Sequence, residues 1–225
     1  MENARRLVED ARTLLVDFDG PLARLFPGAR WAELGDRLRA EARRLGGSEL
    51  AQRLEGEADH VQCLRLVGDH SPRLLEPLEA LVTELELEAA ARVSPRTGAV
   101  ALVEHTLGRG ASVAVVTNNT PGVVAGVLDR ACHGVTARLH VVGRSAGQVA
   151  DLKPRPDLLV RALGLTGSRP EESVFLGDSV TDVQAGRAAG VAVVGVAEEE
   201  GRRHELLAAG AVGAVDGVDA LVPPR

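Results

Sequence analysis

Aromatic residues are scarce in this chain: 2% of its 225 positions, with one Trp, three Phe and no Tyr. Its core must therefore be assembled from Val, Leu and Ala. Cysteine is nearly absent as well. Cys63 and Cys132 stand alone, without CxxC or His/Cys spacing, which excludes a disulfide framework and a zinc site and leaves two reduced, buried thiols. The six histidines show no i, i+4 pairing of the kind that holds a metal. No segment reaches the roughly 18 apolar residues of a membrane span, so the expectation is a cytoplasmic protein with no membrane partner. Positive charge is in deficit too, the formal net charge being -6. That argues against a broad electrostatic nucleic-acid footprint, but a local pocket can still be positive and take a small anion.

What is present is a set of short polar segments, each just past an apolar run. Asp17-Phe18-Asp19-Gly20 follows Thr13–Val16, Thr117-Asn118-Asn119 follows Ser112–Val116, and Gly177-Asp178-Ser179-Val180-Thr181-Asp182 follows Ser173–Leu176. Lys153-Pro154 adds a loop lysine. The three runs read as buried strands. In a parallel sheet the carboxyl ends of strands share one edge, where ligands bind. Residues far apart in the chain thereby converge.

From about Val93 onward strand-like and helix-like segments alternate, with further strands over Leu139–Val142 and Val191–Val196. Helices are expected near Pro121–Arg130, Arg155–Leu163, Val180–Ala189 and Arg202–Ala209, with Gly190 and Gly210 as stops. The alternation predicts an α/β fold, a Rossmann-like parallel sheet with helices on both faces. The stretch from about Pro21 to Arg92 lacks β-branched runs and is rich in Ala, Leu, Arg and Glu. Trp31, Leu34, Leu38 and Leu45 mark one face of a helix that stops at Gly46-Gly47, and Ser71-Pro72 starts another through Leu74, Leu78, Leu81 and Leu85. This is a helical insertion between the first two strands of the sheet. The expected organisation is thus core over 1–20, a small all-helical cap over 21–92, and core over 93–225. The Arg and Glu runs of the insertion read as a solvated face, and His60 and His70, in the cap, as surface or core-edge groups in preference to substrate contacts.

Asp17 ends an apolar strand, where a charge is costly without a partner. Asp19-Gly20 is also an ordinary turn former. Asp178 and Asp182 add further carboxylates at the same edge, and such a set repels itself unless a cation binds. Oxygen-only ligands suit a hard ion such as Mg²⁺. Asp182 alone is equally well placed to serve the start of its helix. Thr117 and Asn118 offer a hydroxyl, an amide and backbone N–H groups for an anion, though such residues after a strand are also common helix caps. Lys153 is stiffened by its neighbouring prolines, and beside carboxylates and a phosphate it would neutralise both.

These segments, in this order and spacing, resemble the four motifs of the haloacid-dehalogenase-like (HAD) hydrolase superfamily. The run Val174–Val191 and Pro95-Arg96-Thr97-Gly98-Ala99 are similar to its phosphoglycolate-phosphatase-like branch, whose cap matches the insertion in position and size. The resemblance implies a Mg²⁺-dependent phosphatase hydrolysing a small-metabolite phosphomonoester. It implies Asp17 as nucleophile, forming an aspartyl-phosphate, and Asp19 as the acid and then the base. Thr117 and the backbone of Asn118 would hold the phosphoryl oxygens, with Lys153 offsetting their charge. Asp178, Asp17 and the main-chain carbonyl of Asp19 would bind Mg²⁺, and Asp182 would serve its outer shell or orient Lys153. Asp19 favours phosphate over halide chemistry, because the family's dehalogenases lack an acid there. Arg24 reads as a surface or structural residue in preference to a contact for an anionic substrate tail. The expected protein is a monomer or homodimer. A phosphomutase of the same core and a non-catalytic HAD-fold binding protein are the competing readings. A receiver-type phosphoacceptor fits less well, since its acidic pair precedes the acceptor.

Overall fold

The computed structural model describes residues 2–28, 30–57 and 59–223. Six short apolar runs pair in parallel: β1 (Thr13–Val16), β2 (Ser112–Val116), β3 (His140–Val142), β4 (Ser173–Gly177), β5 (Ala192–Val196) and β6 (Gly213–Val215). Their order across the sheet is β3-β2-β1-β4-β5-β6, so the chain reverses direction of travel at β1, flanked by β2 and β4. This is the switch point at which α/β sheets open a crevice beyond their strand ends. Val16 is level with Val115 and Leu176. The residues that follow all three strands therefore emerge side by side.

The helices are α1 (Glu2–Asp10), α2 (Arg30–Arg53), α3 (His60–His70), α4 (Leu75–Ala90), α5 (Ala99–Gly108), α6 (Gly122–Ala131), α7 (Asp157–Thr166), α8 (Val180–Ala188) and α9 (Glu200–Ala209). Strand residues alternate between the two faces, as the period of two requires. Leu14, Val16, Val113 and Val115 pack with residues of α1, α5 and α6. Leu15, Ala114, Val116 and Phe175 pack with α7, α8 and α9. Helices thus cover both faces, and the strands are apolar throughout for that reason.

Between β1 and β2 lie α2, α3 and α4, the all-helical cap. The stop expected at Gly46-Gly47 is a kink: Gly47 is non-helical at φ 78°, and helix resumes to Arg53. Leu34 and Leu38 are buried as the pattern requires, while the side chain of Trp31 lies outside the described residues. Pro72 begins a short 3₁₀ turn over Pro72–Leu74 before α4 proper. Leu38, Leu64, Leu78 and Val82 of the cap share one apolar cluster with Leu15 and Val116 of the sheet, so cap and core are packed together. The solvated face expected for the acidic runs does not extend to Glu79 and Glu86, which are buried. They fall on the same side of α4 as Leu78, Val82 and Ala89, because spacings of three, four and seven share one helix face.

Candidate active site

Each strand at the switch point delivers one part of the site. Beyond β1, Gly20 donates its N–H to the Ala23 carbonyl at 2.6 Å and accepts from Arg96 Nη1 at 2.8 Å, with φ +110°. That tight turn brings Asp17 and Asp19 to one cavity of about 570 Å³, which Asn118, Asn119, Lys153, Asp178 and Asp182 also line. Six of the seven expected site residues therefore meet. The seventh, Thr117, is fully buried behind the cavity wall. Its hydroxyl donates to Asn119 Oδ1 at 3.0 Å and accepts from the Asn119 N–H at 3.1 Å.

Lys153 sits at the centre, 2% exposed. Its Nζ is 2.8 Å from Asp17 Oδ1 and 2.8 Å from Asp182 Oδ1, and it donates to the Val116 carbonyl at 3.0 Å. Burial by itself would depress the ammonium, but the two carboxylates override it and hold Lys153 above the usual lysine range. Asn118 locks the lysine's backbone. Its Nδ2 donates to the Lys153 carbonyl at 3.1 Å, and its Oδ1 accepts the Lys153 N–H at 2.9 Å. The side chain of Asn118 is thus committed, while its backbone N–H makes no hydrogen bond within the described residues.

Asp182 does two jobs. Its Oδ2 accepts from the Asp178 and Ser179 N–H groups at 3.1 and 3.0 Å and from the Ser179 hydroxyl at 2.6 Å, which caps α8. Its Oδ1 faces Lys153. Asp182 thus contacts both the start of α8 and Lys153.

One lysine does not balance the carboxylates. Asp17, Asp178 and Asp182 each bring an oxygen within 4.8 Å of the others, three negative charges against one positive. Burial pushes the Asp17 carboxyl up to about 7, and the charge of Asp182 adds to the rise, while Lys153 opposes it. Asp178 also rises well above its ordinary value, first by burial and then through Asp182, Asp17 and Asp19. The net excess of two negative charges, carried by oxygen donors only, fits a divalent hard cation. Asp178 makes no hydrogen bond or ion pair through its carboxylate among the described residues, which leaves it available to such an ion.

The Asp19 carboxylate stands apart from this cluster. Oδ1 accepts the Leu25 N–H at 2.9 Å, and Oδ2 is buried with no hydrogen-bond partner among the described residues. Burial pushes this carboxyl up to about 6, against the Leu25 N–H that lowers it. It is thereby able to hold or release a proton near neutral pH.

Sequence reasoning missed the shell behind these residues. His60 is not at the surface: it is 2% exposed, lines the cavity, and lies with Nε2 3.3 Å from Glu86 Oε1. His70 is exposed, as expected. Arg144 is buried and pairs with Glu86 at 2.9 Å and Glu79 at 3.3 Å. Arg144 comes two residues after β3, just past a strand end as the other segments do, and that signal was available. Arg24 lies half-exposed at the cavity mouth, 3.1 Å from Glu198. Cys63 and Cys132 are free thiols.

A family model described as haloacid dehalogenase-like hydrolase matches residues 11–190. The chain belongs to the haloacid dehalogenase-like hydrolases. A phosphoglycolate phosphatase of Pseudomonas putida is 30% identical over 193 residues, covering 82% of this chain and 69% of that protein. One from Pectobacterium atrosepticum is 32% identical over 196 residues, covering 82% and 80%. Among solved structures, CbbY from Rhodobacter sphaeroides in complex with phosphate superposes with a TM-score of 0.67 at 25% identity, covering 94% of this chain and 96% of that one. This hydrolase therefore falls in the phosphoglycolate-phosphatase-like branch and is a phosphoric monoester hydrolase. No helix among its described residues is long and apolar enough to cross a membrane.

Proposed function

We propose that this hydrolase is a Mg²⁺-dependent phosphatase that cleaves a small-metabolite phosphomonoester through an aspartyl-phosphate on Asp17. The observation that carries this reading is the Lys153 bridge, 2.8 Å to Asp17 and 2.8 Å to Asp182, beside an Asp178 that it leaves unanswered. Phosphoryl transfer requires positioning and charge neutralisation more than covalent chemistry from the protein, and this cluster supplies both.

Asp17 is the nucleophile. Its Oδ1 is fixed by Lys153 and by the Phe18 N–H at 2.7 Å, so the carboxylate has one orientation when it attacks phosphorus. Asp19 donates a proton to the departing alkoxide, then takes one from the water that hydrolyses the aspartyl-phosphate. Its buried, unpartnered Oδ2 supports that role, because a proton held there has nowhere else to go. The free N–H of Asn118 and the ammonium of Lys153 hold the phosphoryl oxygens, and Thr117, behind them, shapes the loop through Asn119. Mg²⁺ would be held by Asp17 and Asp178, with the main-chain carbonyl of Asp19 and with Asp182 beyond, and when bound it neutralises charge on the phosphoryl group. The cap contributes Asp59, His60 and Val61 to the cavity lining, and its closure over the site would exclude water from the reacting centre. Core residues 1–20 and 93–225 thus provide the chemistry, and 21–92 provide the lid. The relatives' names put phosphoglycolate among the first substrates to test.

Phosphate release from p-nitrophenyl phosphate and a panel of metabolite phosphates, with Mg²⁺ and then with EDTA, tests the reading. Mg²⁺-dependent release that is lost in Asp17→Asn is the expected outcome. An undiminished rate in that variant would overturn it, and isomerised sugar phosphate without net phosphate release would reassign the chemistry to a mutase.

A further inference from the structure

The two ions buried behind the cavity have no part in the steps above, yet they hold the loop that carries Asn118. We propose that Glu86 and Arg144 form a positioning pair that fixes residues 118–120 from behind, so that helix α4 of the cap and the phosphate-holding loop move as one unit. The inference rests on the phosphatase reading given above.

The contacts cover the loop residue by residue. Arg144 Nη1 donates to the Asn118 carbonyl at 3.1 Å, and the Arg144 N–H donates to the Asn119 carbonyl at 3.0 Å. Glu86 Oε1 accepts from Asn119 Nδ2 at 2.9 Å, and Oε2 accepts from the Thr120 N–H at 2.8 Å. The two side chains join in a two-pronged ion pair, Nη1 to Oε1 and Nη2 to Oε2, both 2.9 Å. Gly143 leaves room for this approach: a Cβ there would lie 2.7 Å from the Asn119 carbonyl oxygen. The side chains of both ions are almost fully enclosed, at 1% and 0% exposure.

Such burial is a poor route to stability. Each ion loses several kcal/mol of hydration, and apolar residues of the same volume commonly do as well. A bidentate guanidinium–carboxylate pair does supply fixed geometry. Its reach continues forward, since Asn118 in turn binds both backbone polar groups of Lys153. One helix of the cap thus sets the position of the phosphate loop and, through it, of the central lysine. Neither Glu86 nor Arg144 touches reacting atoms, so both are positioning residues.

The test measures inorganic phosphate binding by calorimetry in the presence of Mg²⁺, together with KM and kcat for p-nitrophenyl phosphate. The proteins are wild type, Glu86→Gln, Arg144→Lys and Thr83→Val, each at a temperature where circular dichroism shows it folded. Thr83 accepts from Arg144 Nη2 at 3.0 Å and makes no hydrogen bond to residues 118–120 among the described residues, so its variant weakens the pair's surroundings while leaving the loop's hydrogen bonds in place. Losing one charged hydrogen bond to the loop should weaken phosphate binding at least about tenfold in Glu86→Gln and Arg144→Lys. KM should rise in step, and Thr83→Val should lose stability without either change. Arg144→Lys keeps the charge and answers the question should Glu86→Gln not fold. Phosphate affinity within twofold of wild type in a folded Arg144→Lys or Glu86→Gln protein overturns the inference. Calorimetry requires no turnover, so the two failures separate. A wild type that binds phosphate but hydrolyses nothing removes the phosphatase reading alone, and one that hydrolyses while the variants bind normally removes this inference alone.

Discussion

Acidifying the protein from pH 7 to pH 3 should erase most of the stability that Glu86 provides. Burial would raise this carboxyl, but His60 and Arg144 overcome it and hold Glu86 down at about 2, from an ordinary 4.5. A depressed carboxyl stabilises the folded state above its unfolded value and loses that effect as pH falls toward its folded one. The whole effect, fully present above about pH 5, is roughly 3 kcal/mol. By pH 3 roughly 2 kcal/mol of it should be gone, because the unfolded chain by then binds a proton that the folded chain still refuses. Glu86→Gln has no proton to bind at this position. Urea unfolding of both proteins at pH 7, 5, 4 and 3 reads the term, since carboxylates away from the Arg144 pair cancel in the difference. The wild-type advantage should be largest at pH 7, unchanged at pH 5, and smaller by roughly 2 kcal/mol at pH 3. An advantage that stays constant over the range would refute the reasoning. It would mean that Glu86 is already neutral in the folded protein, and the Arg144 pair would not be ionic.

Two further perturbations probe the cluster itself. Lys153→Met strands the buried carboxylates of Asp17 and Asp182 without their shared cation and should cost about 3–5 kcal/mol in urea unfolding. Added Mg²⁺ should stabilise that variant more than wild type, and a loss below about 1 kcal/mol would show that the pair is effectively solvated. Gly20→Ala places a Cβ 2.2 Å from the Asp178 carboxylate at a backbone φ of +110°. The carboxylate must swing aside, so the Mg²⁺ concentration for half-maximal activity should rise several-fold. An unchanged Mg²⁺ titration would remove Asp178 from the metal's ligands.

The sheet was legible because its strands carry their own punctuation. Ser112–Val116 and Ser173–Leu176 are apolar runs that end at polar residues, and burial on both faces forces that pattern. Boundaries shifted by up to three residues, as at α7, expected over Arg155–Leu163 and found over Asp157–Thr166. Short or polar elements escaped: β6 over Gly213–Val215 has three residues, and α1 over Glu2–Asp10 is mostly charged. At the site, residue types placed Asp17, Asp19, Asn118, Lys153, Asp178 and Asp182 around one cavity. They could not say which atoms would be free. Asn118 spends its side chain on Lys153 and keeps its backbone N–H, and Thr117 turns its hydroxyl toward Asn119.

Glu86 and Arg144 were hidden for a different reason. A charged residue in a helix rich in Glu is normally solvated, and composition gives no cue that one of them meets a partner 58 residues away. The cue lies in phase and position combined. Glu79 and Glu86 share the apolar side of α4 with Leu78 and Val82, and Arg144 stands just past the end of β3, on the edge where the proposed catalytic groups gather. An acidic residue in core phase needs a cation, and the end of β3, at that edge and without an assigned function, offers one. The same reasoning that made Asp17 conspicuous, a charge that burial forbids unless it is answered, therefore applies twice in this chain. At the front of the loop 118–120 the answer is Lys153 and, in the proposed reading, a metal, and at its back it is Arg144. A loop held from both sides by ion pairs is set to bind an anion without reorganising, and that pre-set geometry is what phosphoryl transfer needs from a protein.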